Sequence, residues 1–219
     1  MNNVIEIRSD SRFRAILIVI DMADAIILCD LGGVLIDLNW QERARSLFSC
    51  THDSEELKLR WLQLKSARAY EAGKTDFATF YSDFVTETGS TLSVNEFKSE
   101  FAGIIGSLKA DCLPILELLR KYGTLAMLSN TNAVHVGTLR NSTEIFKPFD
   151  HLFFSYEMGM VKPDREIYEA VCSSLQKEPQ QIYFFDDSDA NVLGAREAGL
   201  NAYVVNSPRQ IQEIISMLL

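Results

Sequence analysis

The stretch Asp30-Leu31-Gly32-Gly33-Val34-Leu35 follows directly on the apolar run Ala25-Ile26-Ile27-Leu28-Cys29. A run of that length and β-branched content reads as a strand buried on both faces, so Asp30 stands at a strand's carboxyl end, where glycines turn the chain sharply. Open α/β sheets bind their ligands outside the carboxyl ends of their strands. Asp30 is therefore the first residue to examine for chemistry.

Three later segments supply it with partners. Leu125-Ala126-Met127-Leu128-Ser129-Asn130-Thr131-Asn132 and Ile182-Tyr183-Phe184-Phe185-Asp186-Asp187-Ser188-Asp189-Ala190-Asn191 repeat the pattern of an apolar strand opening into a polar loop that starts a helix. Gly159-Met160-Val161-Lys162-Pro163-Asp164 sets Lys162 in a loop before a helix starting near Asp164. A carboxylate, a hydroxyl, a cation and an acidic pair are thus expected at one edge of one sheet.

In this order and spacing the four segments resemble the motifs of the haloacid dehalogenase-like hydrolases, most of which are phosphatases. The likeness covers nearly the whole chain from about residue 24. It is nearest to the helical-cap subfamily IA and to members of the α-D-glucose-1-phosphate phosphatase type, which read Asp-x-Gly-Gly/Asn-Val and later Ser-Asn-Thr-Asn and Phe-Asp-Asp. The resemblance implies that Asp30 is a nucleophile that forms an aspartyl-phosphate, with Ser129 donating to the phosphate and Lys162 supplying positive charge. It also implies Mg²⁺ held by Asp30, Asp187 and the backbone carbonyl of Gly32. Asn130 is expected to contact phosphate. Asp186 is expected to bind a metal water or pair with Lys162, and Asn191 to hold the loop or a metal-bound water.

One position departs from the family pattern. Two residues after the nucleophile a second aspartate usually acts as general acid/base, and this chain has Gly32 there. A glycine keeps its carbonyl but cannot move a proton, a service typically worth a factor of roughly 10² to 10⁴. Asp37, in the loop the family uses as a flap, is the nearest acid that could substitute. The leading expectation is a Mg²⁺-dependent phosphatase acting on a small phosphorylated metabolite such as a sugar phosphate. The alternatives are a catalytically weak binding or regulatory relative and a 2-haloacid dehalogenase; the Asp186-Asp187 pair argues against the latter.

Composition narrows the class. The 219 residues are 47% hydrophobic and 23% charged, ordinary for a globular protein, and long enough for one α/β domain with an insertion. A formal net charge of -9 argues against nucleic acid and anionic membrane surfaces as partners. Cys29, Cys50, Cys112 and Cys172 contain no Cys-x-x-Cys pair, which suits a reducing cytoplasm. His52, His135 and His151 lack metal-ligand spacing, and no Gly-x-Ser-x-Gly, Walker or Gly-x-Gly-x-x-Gly motif occurs. The apolar run within residues 14–20, which begins after Arg14, is too short for a membrane span and lacks a signal-peptide pattern. Residues 1–22 are expected to be an extension or an over-called translation start.

Strands separated by single helices predict a Rossmann-like, mostly parallel α/β sheet with helices on both faces, formed by residues 23–39 and 109–219. Between them, residues 40–108 lack strand-like runs and show helical spacing, such as Leu57, Trp61 and Leu64, then Phe77, Phe80, Tyr81 and Phe84. This segment is expected to be a helical cap, its aromatic stripe forming its own core.

Overall fold

The structure is a computed structural model that describes residues 25–218; the extension expected over residues 1–22 lies outside them. The described chain opens with β1 (Ile26–Cys29) and the short β2 (Ile36–Leu38). It then passes through five helices, α1 (Trp40–Leu47), α2 (Ser54–Gln63), α3 (Lys65–Glu71), α4 (Phe77–Thr88) and α5 (Val94–Ala102), before returning along β3 (Ile105–Leu108). Helix-strand alternation follows: α6 (Cys112–Leu119), β4 (Thr124–Ser129), α7 (Ala133–Ser142), β5 (His151–Phe154), α8 (Ser155–Met158), α9 (Arg165–Leu175), β6 (Ile182–Asp186), α10 (Asp189–Glu197), β7 (Asn201–Val204) and α11 (Pro208–Leu218).

The main sheet runs β5-β4-β1-β6-β7 with every pairing parallel, so β1 lies at its centre between β4 and β6. All four residues of β1 are buried, and they alternate between two cores as the strand period of two requires. Ile27 and Cys29 pack with Leu116, Met127, Phe185, Ile211 and Ile215 on the face covered by α6 and α11. Ile26 and Leu28 pack with Leu128, Ile167, Phe184 and Val192 on the face covered by α9 and α10. Covering both faces explains why these strands read as continuous apolar runs. None of the described helices is long and apolar enough to cross a membrane.

The helices α1 to α5 bury a third core of their own, centred on Phe80, Phe84, Phe97 and Phe101, all fully buried. Tyr70 stacks on Phe80 at 4.5 Å between ring centroids, and Trp61 stacks on Phe101 at 5.9 Å. Capping follows the sequence closely: Asp53, Asp76 and Ser93 each accept a backbone N–H at the start of a helix, Ser93 with Glu96 in a reciprocal capping box.

Residues 40–108 were expected to be helical throughout, yet Ile105–Leu108 forms β3 and pairs antiparallel with β2. Ile105-Gly106-Ser107-Leu108 is too short and too poor in apolar residues to announce a strand; tertiary pairing with β2 makes it one. The backbone N–H of Asn39 donates to Ile104 O at 2.8 Å and its side-chain amide donates to Gly103 O at 3.0 Å, closing the two connections into one ribbon.

Candidate active site

The carboxyl ends of β1, β4 and β6 meet at one point. Asp30 follows β1 and is buried, its backbone N–H donating to Phe185 O of β6 at 2.8 Å. Gly33, three residues on, has φ +75°, and a Cβ there would lie 2.2 Å from Asp187 Oδ2. Only glycine lets the turn after the strand pass so close to that carboxylate.

Lys162 reaches the same point from the loop before α9 and is 3% exposed. Its ammonium donates to Asp30 Oδ1 at 2.7 Å, Asp186 Oδ2 at 2.6 Å and Leu128 O at 3.0 Å, using all three of its protons. The backbone around it is held by Asn130: Lys162 N–H donates to Asn130 Oδ1 at 2.8 Å, and Asn130 Nδ2 donates to Lys162 O at 2.9 Å. Asp186 is fully buried and saturated. Besides Lys162 it accepts from Ser188 N–H and from Asn191 Nδ2, the latter within 3.1 Å of both carboxylate oxygens.

Electrostatics make this cluster incomplete by itself. Carboxylate oxygens of Asp30, Asp186 and Asp187 lie within 4.8 Å of one another, against one buried ammonium. Burial pushes Asp30 up to about 7; Lys162 pulls it down, and the charge on Asp186 pushes it up again. Partial withdrawal from water and Asp186 likewise raise Asp187. Burial works against the charge on Lys162, but Asp186 and Asp30 prevail and hold it protonated, above the usual lysine range. Three clustered carboxylates with one cation form an unbalanced, all-oxygen donor set, which fits a hard divalent cation such as Mg²⁺. With Asp186 already saturated, Asp30 and Asp187 are the acids left to face such an ion.

A cleft of about 430 Å³ opens above the cluster. Gly32, Gly33, Ser129, Asn130, Thr131 and Asp187 line its floor, and Trp40, Lys58, Trp61 and Glu71 from the inserted helices line its roof. The Ser129 hydroxyl, at the end of β4, has no hydrogen-bond partner among the described residues. Asn132 caps α7, accepting from the N–H groups of Val134 and His135 at 3.1 Å. His135 Nε2 lies 2.9 Å from Phe101 O, to which it donates, and burial pushes the ring down to about 4, so it is neutral near pH 7.

Asp30, Gly32, Ser129, Asn130, Lys162, Asp186, Asp187 and Asn191 are therefore gathered at one place, but not all in the expected parts. The Asn130 side chain was expected to contact phosphate; both of its polar atoms are instead used on the Lys162 backbone. Of the two roles open to Asp186 the geometry shows the pairing with Lys162, and Asn191 holds the loop through Asp186. Asp37 points away from the cleft. Ile36 and Leu38 line it, and the strand alternation between them turns Asp37 to solvent, 3.8 Å from Lys109. Sequence reasoning missed Glu71 and Ser155. Glu71 sits on a helix whose spacing carries no code, and Ser155 shows itself only as a fully buried hydroxyl.

A family model described as haloacid dehalogenase-like hydrolase matches residues 25–199. The chain is 24% identical over 201 residues to the D-ribitol-5-phosphate phosphatase of Bacteroides thetaiotaomicron, covering 88% of this chain and 97% of that one. It is 25% identical to the (S)-2-haloacid dehalogenase 1 of a Pseudomonas species, covering 84% and 85%. Among solved structures, a Bacteroides thetaiotaomicron enzyme of the same family, in complex with magnesium and inorganic phosphate, superposes with a TM-score of 0.69 at 27% identity, covering 82% of this chain and 93% of that one.

Proposed function

Because the chain belongs to the haloacid dehalogenase-like hydrolases, we propose that it is a phosphatase that hydrolyses a small phosphorylated metabolite, a sugar or polyol phosphate, through an aspartyl-phosphate on Asp30 with Mg²⁺ as cofactor. The observation that carries this reading is the Lys162 ammonium wedged between Asp30 and Asp186, with Asp187 and the partnerless Ser129 hydroxyl opening on the same cleft. A carboxylate so held has one oxygen anchored by the lysine and the other available for attack.

In the first step an Asp30 oxygen forms a bond to phosphorus as the bond to the leaving oxygen breaks. Ser129 donates to a phosphate oxygen, and Lys162 offsets the charge gathering around the transferred group. Water then attacks the phosphorus and releases Asp30. Asp30, Asp187 and the Gly32 carbonyl would hold Mg²⁺, whose charge, when bound, offsets the repulsion between carboxylate and phosphate.

A cleft of about 430 Å³ suits a metabolite and not a polymer. The mixture of Trp40, Trp61, Gln41, Glu55 and Lys58 around it offers ring faces and hydrogen-bonding groups to a polyhydroxylated leaving group. The D-ribitol-5-phosphate phosphatase relative points the same way. We take the inserted helices, residues 40–108, as the cap that selects the substrate, and four free cysteines support a cytoplasmic location.

The test is phosphate release from a panel of sugar, polyol and nucleotide phosphates in Mg²⁺ or EDTA, with Asp30→Asn alongside and 2-chloropropionate included because of the dehalogenase relative. Turnover of a phosphate ester that both EDTA and Asp30→Asn abolish is the expected result. Halide release, or phosphate release indifferent to Asp30→Asn, overturns the reading.

A further inference from the structure

We propose that Glu71, at the C-terminal end of α3, is the general acid and base of this site and takes the place of the carboxyl group that Gly32 lacks. The inference rests on the phosphatase reading. It starts from a deficit: an alkoxide leaving group needs a proton, and neither Gly32 nor the outward-facing Asp37 can give one.

Glu71 lines the same cleft as Gly32, Ser129 and Asp187, but from the opposite wall. Its position is fixed by the fold. The Ser155 hydroxyl, fully buried at the start of α8, lies 2.6 Å from Glu71 O and 3.1 Å from Thr131 O, and accepts the Thr131 N–H at 2.9 Å. One buried hydroxyl thus ties the end of α3 to the loop that follows Ser129. Two residues on, Gly73 has φ +63°, and a Cβ there would lie 2.0 Å from Tyr156 O, so helix end and core are in close contact. An ion pair between Arg68 and Asp164 adds a third tie between α3 and the core. The backbone that carries the Glu71 carboxyl group is therefore tied to the core beside the cleft that Glu71 lines.

The surroundings of Glu71 suit proton transfer near neutrality. Burial pushes it up to about 7, against a 3.4 Å hydrogen bond from Trp61 Nε1 and the positive charges of Arg68 and Lys162. Lys58 and Glu55 of α2 and Asp187 of the core are the other charged groups on the cleft. A general acid/base works best with a pKa near the working pH.

The proton accounting closes. As the bond between phosphorus and the ester oxygen breaks, protonated Glu71 gives its proton to that oxygen, and a neutral alcohol leaves. As water attacks the phosphorus of the aspartyl-phosphate, ionised Glu71 takes a proton from it, and Asp30 departs as carboxylate.

The test compares Glu71→Gln with the unmodified enzyme in Mg²⁺ on a sugar phosphate and on p-nitrophenyl phosphate, whose leaving group barely needs an acid. We read kcat/KM, which reports the first transfer. The expected result is a loss of about 10²-fold or more on the sugar phosphate and under about threefold on the aryl ester, with the alkaline limb near pH 7 disappearing. Equal losses on both substrates, or no loss on either, by a folded variant overturn the proposal. Should Glu71→Gln fail to fold, Trp61→Phe removes the indole N–H that stabilises the carboxylate and keeps an aromatic ring in its place. The limb then moves to higher pH if Glu71 sets it, and an unmoved limb overturns the assignment. If the unmodified enzyme releases no phosphate from either ester, the phosphatase reading fails, whatever Glu71 does.

Discussion

Replacing Lys162 by methionine removes the cation that two carboxylates share. The ammonium is 2.7 Å from Asp30 and 2.6 Å from Asp186, and the whole residue is 3% exposed, so the charges left behind have little access to water. Removing one partner of a buried ion pair typically costs about 3 to 5 kcal/mol. Asp186 keeps the Ser188 N–H and the Asn191 amide, which places the expectation at the low end, about 3 kcal/mol. For a protein of this size that is a fall in Tm of roughly 6 to 12 °C. The assay is thermal and urea unfolding in EDTA at pH 8, so that no metal can stand in for the lysine. Because the cost arises from orphaned charge, Lys162→Met with Asp186→Asn should be more stable than Lys162→Met alone, a coupling of about 1 to 3 kcal/mol. A loss below about 1 kcal/mol, or a double variant no more stable than the single one, would refute the reasoning.

Three further outcomes are expected. Asn130→Ala releases two hydrogen bonds to the Lys162 backbone, so stability should fall by about 2 kcal/mol in urea unfolding, with a drop in kcat/KM that added Mg²⁺ does not repair. Gly33→Ala forces a Cβ against Asp187 in a left-handed turn, and should weaken Mg²⁺ binding by calorimetry more than it lowers Tm. Glu71 is raised in the folded state, so its contribution to stability is present below its unfolded pKa of about 4.5 and is lost as pH rises through about 7. Glu71→Gln should therefore unfold with much the same midpoint as the unmodified chain near pH 4.5 and be the more stable at pH 8, by at most about 3 kcal/mol; a variant less stable at both pH values would sink that assignment.

Much of this architecture is legible in the linear chain because buried parallel strands leave strong marks. Ala25 to Cys29 and Ile182 to Phe185 are apolar without interruption, and the polar residue that ends each run is the one at the sheet's edge. Asp30, Ser129 and Asp186 could be placed on that basis, and the resemblance put Asp187 and Lys162 with them. What escaped depends on contacts between distant segments. β3 is a strand only because β2 lies beside it. Asn130 looks like any polar residue at a strand end until the Lys162 peptide is seen to occupy both of its polar atoms. Glu71 is one of many acids on the inserted helices, and only the docking of α3 on α8 distinguishes it.

That docking has a consequence for release. The Ser155 hydroxyl has a single proton and two carbonyl acceptors within reach, Glu71 O at 2.6 Å and Thr131 O at 3.1 Å. A latch with one acceptor would leave a buried donor orphaned on opening, at about 1 to 3 kcal/mol. Here Thr131 O is a second acceptor already within reach, so the Ser155 proton has a partner in the core that does not depend on α3. Ser155 is thus satisfied from the core side as well as by α3, so loosening the contact between the inserted helices and the core would leave no unpaired donor in the interior.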